Sequence, residues 1–307
     1  MELELKAYAK VNLALDVIGR RPDGYHEVRM IMQNLSLHDV LTFSVDDKEI
    51  KKYKDGKAEV YEKKKAEAYK IILTANNDKI PVDDRNLVYK AVGLMFEKYG
   101  INACIKIHLE KHIPVEAGMA GGSTDCAAAI KAVNRIFELG LSKKEQMDIG
   151  VKLGADVPYC IMARTALSEG IGEKLSTVRP LSNCCVLVAK PPISVSTGMV
   201  YKNLKCEELD THPDVDGMIE ALSNEDIKGV AERMDNVLET VTVKLHPEIE
   251  KLKNIMKDKG ALNAIMSGSG PTVFGIYEDK NAAEAAREYI IEKGLSDEVY
   301  VTEPVSE

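Results

Sequence analysis

The chain has 307 residues, 45% of them hydrophobic and 29% charged, which is the balance of a folded globular protein and excludes a disordered or membrane-embedded one. A net charge of -8 excludes a surface that tracks nucleic-acid phosphate by bulk charge, and no run approaches the ~20 apolar residues of a membrane span. The length is about twice the ~150 residues of a typical domain and predicts two domains.

The first residues alternate polar and apolar from Leu3 to about Val17 and predict a strand, without the basic start and apolar core of a secretory leader. A turn follows in "GRRPDGYHE", then a second apolar stretch from Val28 to Leu37. Past "LTFSV" the sequence becomes a Lys/Glu-rich run, about 46–70, expected to be a solvated insertion. The spacing of Leu87, Val88, Val92, Met95 and Phe96 predicts a helix that stops at Gly100, and "NACIKIHLE" alternates as a half-buried strand.

Next comes "IPVEAGMAGGSTDCAAAI", Ile113 to Ile130, in which Ser123 or Thr124 is the expected cap of a helix ending at Gly140. A second capped helix starts near Ser142 and leads into "GADVPYC". Beyond Ile161 the pattern restarts with the strand "CCVLVAK", helices in "DGMIEALSN" and "EIEKLKNIMKDKG", and two strands about a glycine turn in "NAIMSGSGPTVFGIY". Mixed strands and helices of this kind predict α+β layers in two domains with a boundary near residue 160.

A glycine-rich loop that feeds a helix offers unpaired N–H groups and the positive end of the helix dipole to an anion. The same glycines also suit close packing of a strand on a helix, and the loop alone leaves both readings open. Neither G-x-x-x-x-G-K-[ST] nor G-x-G-x-x-G is present, which excludes the two commonest phosphate fingerprints. Cys104, Cys126, Cys160, Cys184, Cys185 and Cys206 lack C-x-x-C spacing and are expected as free thiols in a reducing cytoplasm. The histidines lack metal spacing, so no protein-bound metal is expected.

In order and spacing, "AKVNLALDVIGRRPDGYHEV", "IPVEAGMAGGSTDCAAA", "GADVPYC" and "MSGSGPTVFGIY" resemble the motifs of the GHMP kinase superfamily over nearly the whole chain. The resemblance implies a two-domain α+β GHMP kinase fold, with residues 1–162 as the ATP-binding domain and 163–307 as the C-terminal domain. ATP and Mg²⁺ are the implied cofactors. "GRRPDGYHE" and "GADVP" are similar to the branch that phosphorylates a small molecule carrying cytidine diphosphate. No nucleic-acid or membrane partner is expected, and the chain is expected to be cytoplasmic and a monomer or weak homodimer.

By the same resemblance, Asp156 matches the residue that accepts the proton of the acceptor hydroxyl, and Lys10 the lysine beside it. An ammonium near a carboxylate favours its ionised form and offsets charge developing in phosphoryl transfer. Lys10 also stands out locally, because a Lys within an apolar strand is costly unless it faces solvent or a partner. Asn12, Tyr25 and His26 match positions at the cytidine end, with Thr197 and Tyr201 from the second domain. Pro114, Ala117, Gly118, Met119, Ala120, Gly121, Gly122, Ser123 and Thr124 match the ATP-phosphate loop, and Lys111, Asn86 and Leu87 its adenine end. Residues 267–271 match a third motif that packs against the loop.

Two departures from the superfamily pattern concern affinity. Ala120 and Glu116 stand where glycine is usual, so a positive φ at Ala120 would require the loop to adjust, and Glu116 must point to solvent or to a cation. The competing readings are another GHMP small-molecule kinase, of homoserine or mevalonate type, and a non-catalytic nucleotide-binding protein on the same fold.

Overall fold

The computed structural model describes residues 1–45 and 69–306; most of the Lys/Glu-rich insertion expected at about 46–70 lies outside the described residues. The chain forms two compact units, one of residues 1–7, 38–115 and 121–162 and the other of residues 8–37, 116–120 and 163–307. Neither unit is a single run of sequence, because β1 (Glu2–Arg20) and β2 (His26–Val45) each contribute residues to both.

In the first unit, β3 (Lys70–Ala75) runs parallel to β4 (Cys104–Glu110), which pairs antiparallel with residues 40–45 of β2. The alternation of β4 buries Ile105, Ile107 and Leu109 and leaves His108 on the exposed face, as its sequence period requires. α1 (Leu87–Tyr99) starts where the Asn86 side chain accepts the Val88 N–H and ends at Gly100 with φ 62. It packs on α2 (Gly121–Ile136), and Phe96 meets Phe137 edge-on at 5.3 Å. α3 (Lys143–Gly150) is closed by the Ser142–Glu145 capping box and is followed by α4 (Val157–Met162).

In the second unit, residues 28–32 of β2 pair antiparallel with β5 (Ala166–Gly170), which pairs with β6 (Lys174–Thr177). A separate antiparallel sheet is built from β7 (Cys185–Lys190), β9 (Asn263–Met266), β10 (Val273–Tyr277) and β11 (Glu298–Thr302), ordered β11-β7-β10-β9. α5 (Thr197–Asn203), α6 (Val215–Ser223) and α7 (Ile227–Glu232) lead to β8 (Asp235–Asn236), which pairs parallel with β1 at Ala14 and Leu15. α8 (Glu239–Leu245), α9 (Pro247–Asp258) and α10 (Lys280–Glu292) follow, with α9 and α10 packed on the four-stranded sheet.

Two expectations from the sequence need correction. α2 begins at Gly121, so Ser123 and Thr124 lie inside its first turn rather than capping it, and it stops at Ile136, with Gly140 four residues beyond it at φ 66. The two N-terminal strands also run longer than their apolar cores, which narrows the turn between them to residues 21–25. Among the described residues no helix is long and apolar enough to cross a membrane, and none of the six cysteines is in a disulfide.

Candidate active site

Within the second unit, β1 places Lys10 and Asn12 two residues apart, hence on one face of the strand. Lys10 is 4% exposed, and an ammonium so buried needs hydrogen-bond partners to offset its lost hydration. Its Nζ donates to Asn12 Oδ1 at 2.7 Å, while Asn12 Nδ2 reaches Met30 Sδ at 3.4 Å. The Lys10 backbone N–H donates to Met119 O at 3.1 Å, which ties the strand to the glycine loop.

The loop is shaped around Gly118. At φ 69, a Cβ on this residue would lie 2.3 Å from the Ser267 carbonyl oxygen and 3.0 Å from that of Gly270, so only glycine fits. Ser267 Oγ donates to Gly118 O at 3.0 Å, and the packing expected of residues 267–271 against the loop is thus present. Glu116 and Ala120 take φ 54 and φ 58: the loop keeps the left-handed backbone at both positions where glycine is missing, at about 1–2 kcal/mol each. Glu116 is exposed to solvent, while Ala117 and Met119 are buried.

The opposing loop is held by side chains that the sequence did not single out. Buried Asn236 donates from Nδ2 to Met266 O and Gly268 O, both at 2.8 Å, and accepts the Leu238 N–H at 3.0 Å. Glu239 accepts the Met266 N–H at 2.6 Å, and Thr242 Oγ1 donates to Ser269 O at 3.3 Å. Thr197, at the start of α5, meets Ser269 Oγ through its hydroxyl at 2.8 Å. None of Asn236, Glu239 and Thr242 sits in a motif, and only the fold brings them to this loop.

His26 and Tyr201, expected at the cytidine end, are brought together with ring centroids 5.1 Å apart and planes 40° apart. Burial, and then the nearby Arg20 charge, lower the His26 pKa, which favours a neutral ring that both donates and accepts. Tyr25 is 59% exposed at the tip of the turn, where its N–H donates to Asp23 Oδ1 and its carbonyl accepts the Arg21 N–H.

Within the first unit, the N–H groups of the first turn of α2 have no intrahelical acceptor and carry the positive dipole end, which fits a phosphate. Pro114 is buried ahead of this turn. A Cβ on Gly121 would lie 3.1 Å from Lys111 Nζ, and one on exposed Gly122 would make ordinary contact with Leu87 Cδ1 at 3.8 Å. Leu87 opens α1 behind the Asn86 cap. Lys111 is turned inward instead, with its Nζ 2.5 Å from Asp39 Oδ2 and 2.8 Å from Asp125 Oδ2. Asp156 is half-buried just before α4, with its carbonyl accepting the Cys160 N–H at 3.1 Å. Lys10 and Asp156 belong to different units. Among the described residues no three metal-ligating side chains cluster.

The sequence matches the family descriptions "GHMP kinases N terminal domain" over residues 86–164 and "GHMP kinases C terminal" over 218–295. The chain belongs to the GHMP kinase family: it is an enzyme, an ATP-dependent kinase with the α+β fold expected from its sequence.

Its relatives include the 4-diphosphocytidyl-2-C-methyl-D-erythritol kinase of Lachnospira eligens, 47% identical over 98% of each chain. That of Lachnoclostridium phytofermentans is 48% identical over 92% of this chain and 91% of its own. A crystal structure of 4-(cytidine 5'-diphospho)-2C-methyl-D-erythritol kinase superposes with a TM-score of 0.78 at 28% identity, covering 99% of this chain and 100% of that one. Homoserine kinase from Cytophaga hutchinsonii, at 19% identity and a TM-score of 0.75 over 99% of this chain and 95% of its own, shares the fold.

Proposed function

We propose that this kinase transfers the γ-phosphoryl group of ATP to the 2-hydroxyl of 4-diphosphocytidyl-2-C-methyl-D-erythritol, giving the 2-phosphate and ADP, in non-mevalonate isoprenoid precursor biosynthesis. The observation that carries the reading is the buried Lys10 ammonium, joined through its own backbone N–H to the glycine loop at Met119. A fixed cation beside a phosphate loop is what a reaction driven by positioning and charge neutralisation requires. The names of the relatives, at 47% and 48% identity, support the substrate.

In this reading Asp156 takes the proton of the acceptor hydroxyl as the oxygen bonds to the γ-phosphorus and the bond to the β-phosphate oxygen breaks, with ADP as leaving group. Lys10 offsets the charge that develops on the acceptor oxygen, and Asn12 orients its ammonium. The first turn of α2, with Ser123 and Thr124, holds the phosphates, while Asn86 and Leu87 line the adenine end. Mg²⁺, held by the phosphates and water, would neutralise charge between them. His26 offers a donor and an acceptor to a cytosine edge, Tyr25 and Tyr201 offer stacking faces, and Thr197 a hydroxyl. Residues 1–162 and 163–307 are the proposed functional division of a cytoplasmic enzyme that is a monomer or weak homodimer.

A coupled ADP-release assay tests the substrate: turnover is expected with the cytidylyl substrate, and turnover only with homoserine or mevalonate would overturn the assignment. Asp156→Ala should lower kcat by more than about 100-fold while largely sparing ATP binding. Retained turnover would remove Asp156 from the role of base.

A further inference from the structure

Lys111, Asp39 and Asp125 form a charge cluster at the first turn of α2, made of groups that the proposed phosphoryl transfer does not use. All three side chains are buried, at 4% exposure or less. The two carboxylates are served unequally. Asp39 accepts the His112 N–H at 2.6 Å, the Ile113 N–H at 2.8 Å and Lys111 Nζ at 2.5 Å. Asp125 accepts Lys111 Nζ at 2.8 Å through Oδ2, while its Oδ1 is buried without a hydrogen-bond partner.

Two carboxylates around one ammonium leave a net negative charge out of reach of water, which is strongly penalised. The least costly relief is one proton, and it goes to the carboxylate with fewer donors. Burial, opposed by Lys111 and reinforced by Asp39, pushes Asp125 up to about 8. Lys111 stays charged, because the two carboxylates outweigh the effect of its burial. The neighbouring Cys126 thiol is pushed up to about 12 by burial, and so does not titrate in the same range.

We infer that Asp125 is a positioning residue for the ATP loop: with a proton on Asp125, Lys111 and Asp39 close as a neutral pair against Gly121, and loss of that proton places uncompensated negative charge in the turn that receives phosphate. The contact to Gly121 is close, since a Cβ there would lie 3.1 Å from Lys111 Nζ. This inference rests on the assignment of the turn to ATP, and not on the identity of the phosphate acceptor.

The test is ATP affinity measured calorimetrically from pH 7.5 to 9.5 at saturating Mg²⁺, a range above the ~6 of a terminal phosphate's second ionisation. The wild-type Kd is expected to rise at least about fivefold, as expected for a like charge near the phosphates at an effective dielectric of about 20. Asp125→Asn, which cannot ionise, should give a flat profile. Asp39→Asn is a second variant: it leaves an ionised Asp125 as a neutral pair with the Lys111 ammonium, so it too should give a flat profile. A flat wild-type profile, or an alkaline limb that survives Asp125→Asn, would overturn the inference. No ATP binding at any pH would overturn the ATP-loop assignment and this inference with it, whereas failure of the cytidylyl substrate in the coupled assay would leave both in place.

Discussion

Two glycine-rich loops meet at Gly118 and are held in different ways. In residues 267–271 the positive φ values fall on Gly268 and Gly270, and side chains from β8 and α8 clamp the loop and its approach at Met266 N, Met266 O, Gly268 O and Ser269 O. In residues 116–120 the positive φ values fall on Glu116 and Ala120 as well as Gly118, and the neighbours take Gly118 O and Met119 O. Strained backbone persists only where its surroundings over-determine it. The comparison teaches that the well-clamped loop is the buttress, and that the strained one, which leads into the first turn of α2, depends on it.

The largest effect is expected from breaking the contact itself. Gly118→Ala places a methyl group 2.3 Å from the Ser267 carbonyl oxygen, so the loops must separate. A loss of about 3 kcal/mol or more is expected in urea unfolding, with ATP affinity falling alongside it. Asn236→Ala removes the clamp while leaving the contact intact, and strands two buried carbonyls and the Leu238 N–H. It should cost about 2–4 kcal/mol in the same assay, and KM for ATP should rise if the buttress transmits to the loop. An unchanged KM in a destabilised Asn236→Ala protein would make the clamp a purely structural device. The smallest effect comes from relieving strain: Ala120→Gly frees φ 58 but adds unfolded-chain entropy, for a net stabilisation under about 1 kcal/mol, seen as a small rise in Tm.

A pH series sharpens the picture at His26, proposed to meet the cytosine edge. The lowered His26 pKa means that the unfolded chain binds more protons than the folded one just below pH ~6.5, so stability from this group is lost as the pH falls there. KM for the cytidylyl substrate should rise over the same interval, and His26→Gln should flatten that dependence.

Much of the fold was legible in sequence where the signal is local. Asn86 and Gly100 bracket α1, Ser142 and Glu145 form a capping box, and β4 alternates, because caps and periods are set by residues within a few positions of each other. The start of α2 was misplaced by three or four residues, since a run of Gly-Gly-Ser-Thr offers several plausible caps and local chemistry does not choose among them. The departures at Glu116 and Ala120 were visible, but their positive φ was not, because only the packing of Gly118 on Ser267 imposes that path.

By itself the sequence determined the kinase class, the ordered motifs, the candidate pair Lys10 and Asp156, and the residues proposed to meet the substrate. Only the tertiary structure decided that Lys10 is buried against Asn12, that Lys111 turns into a carboxylate pair, and that Asn236, Glu239 and Thr242 brace the third motif. The physical reason is range. Motifs and periods are written in neighbouring residues, whereas the partner of a buried charge, such as Asp39 with Lys111, is chosen by strand register across 72 positions.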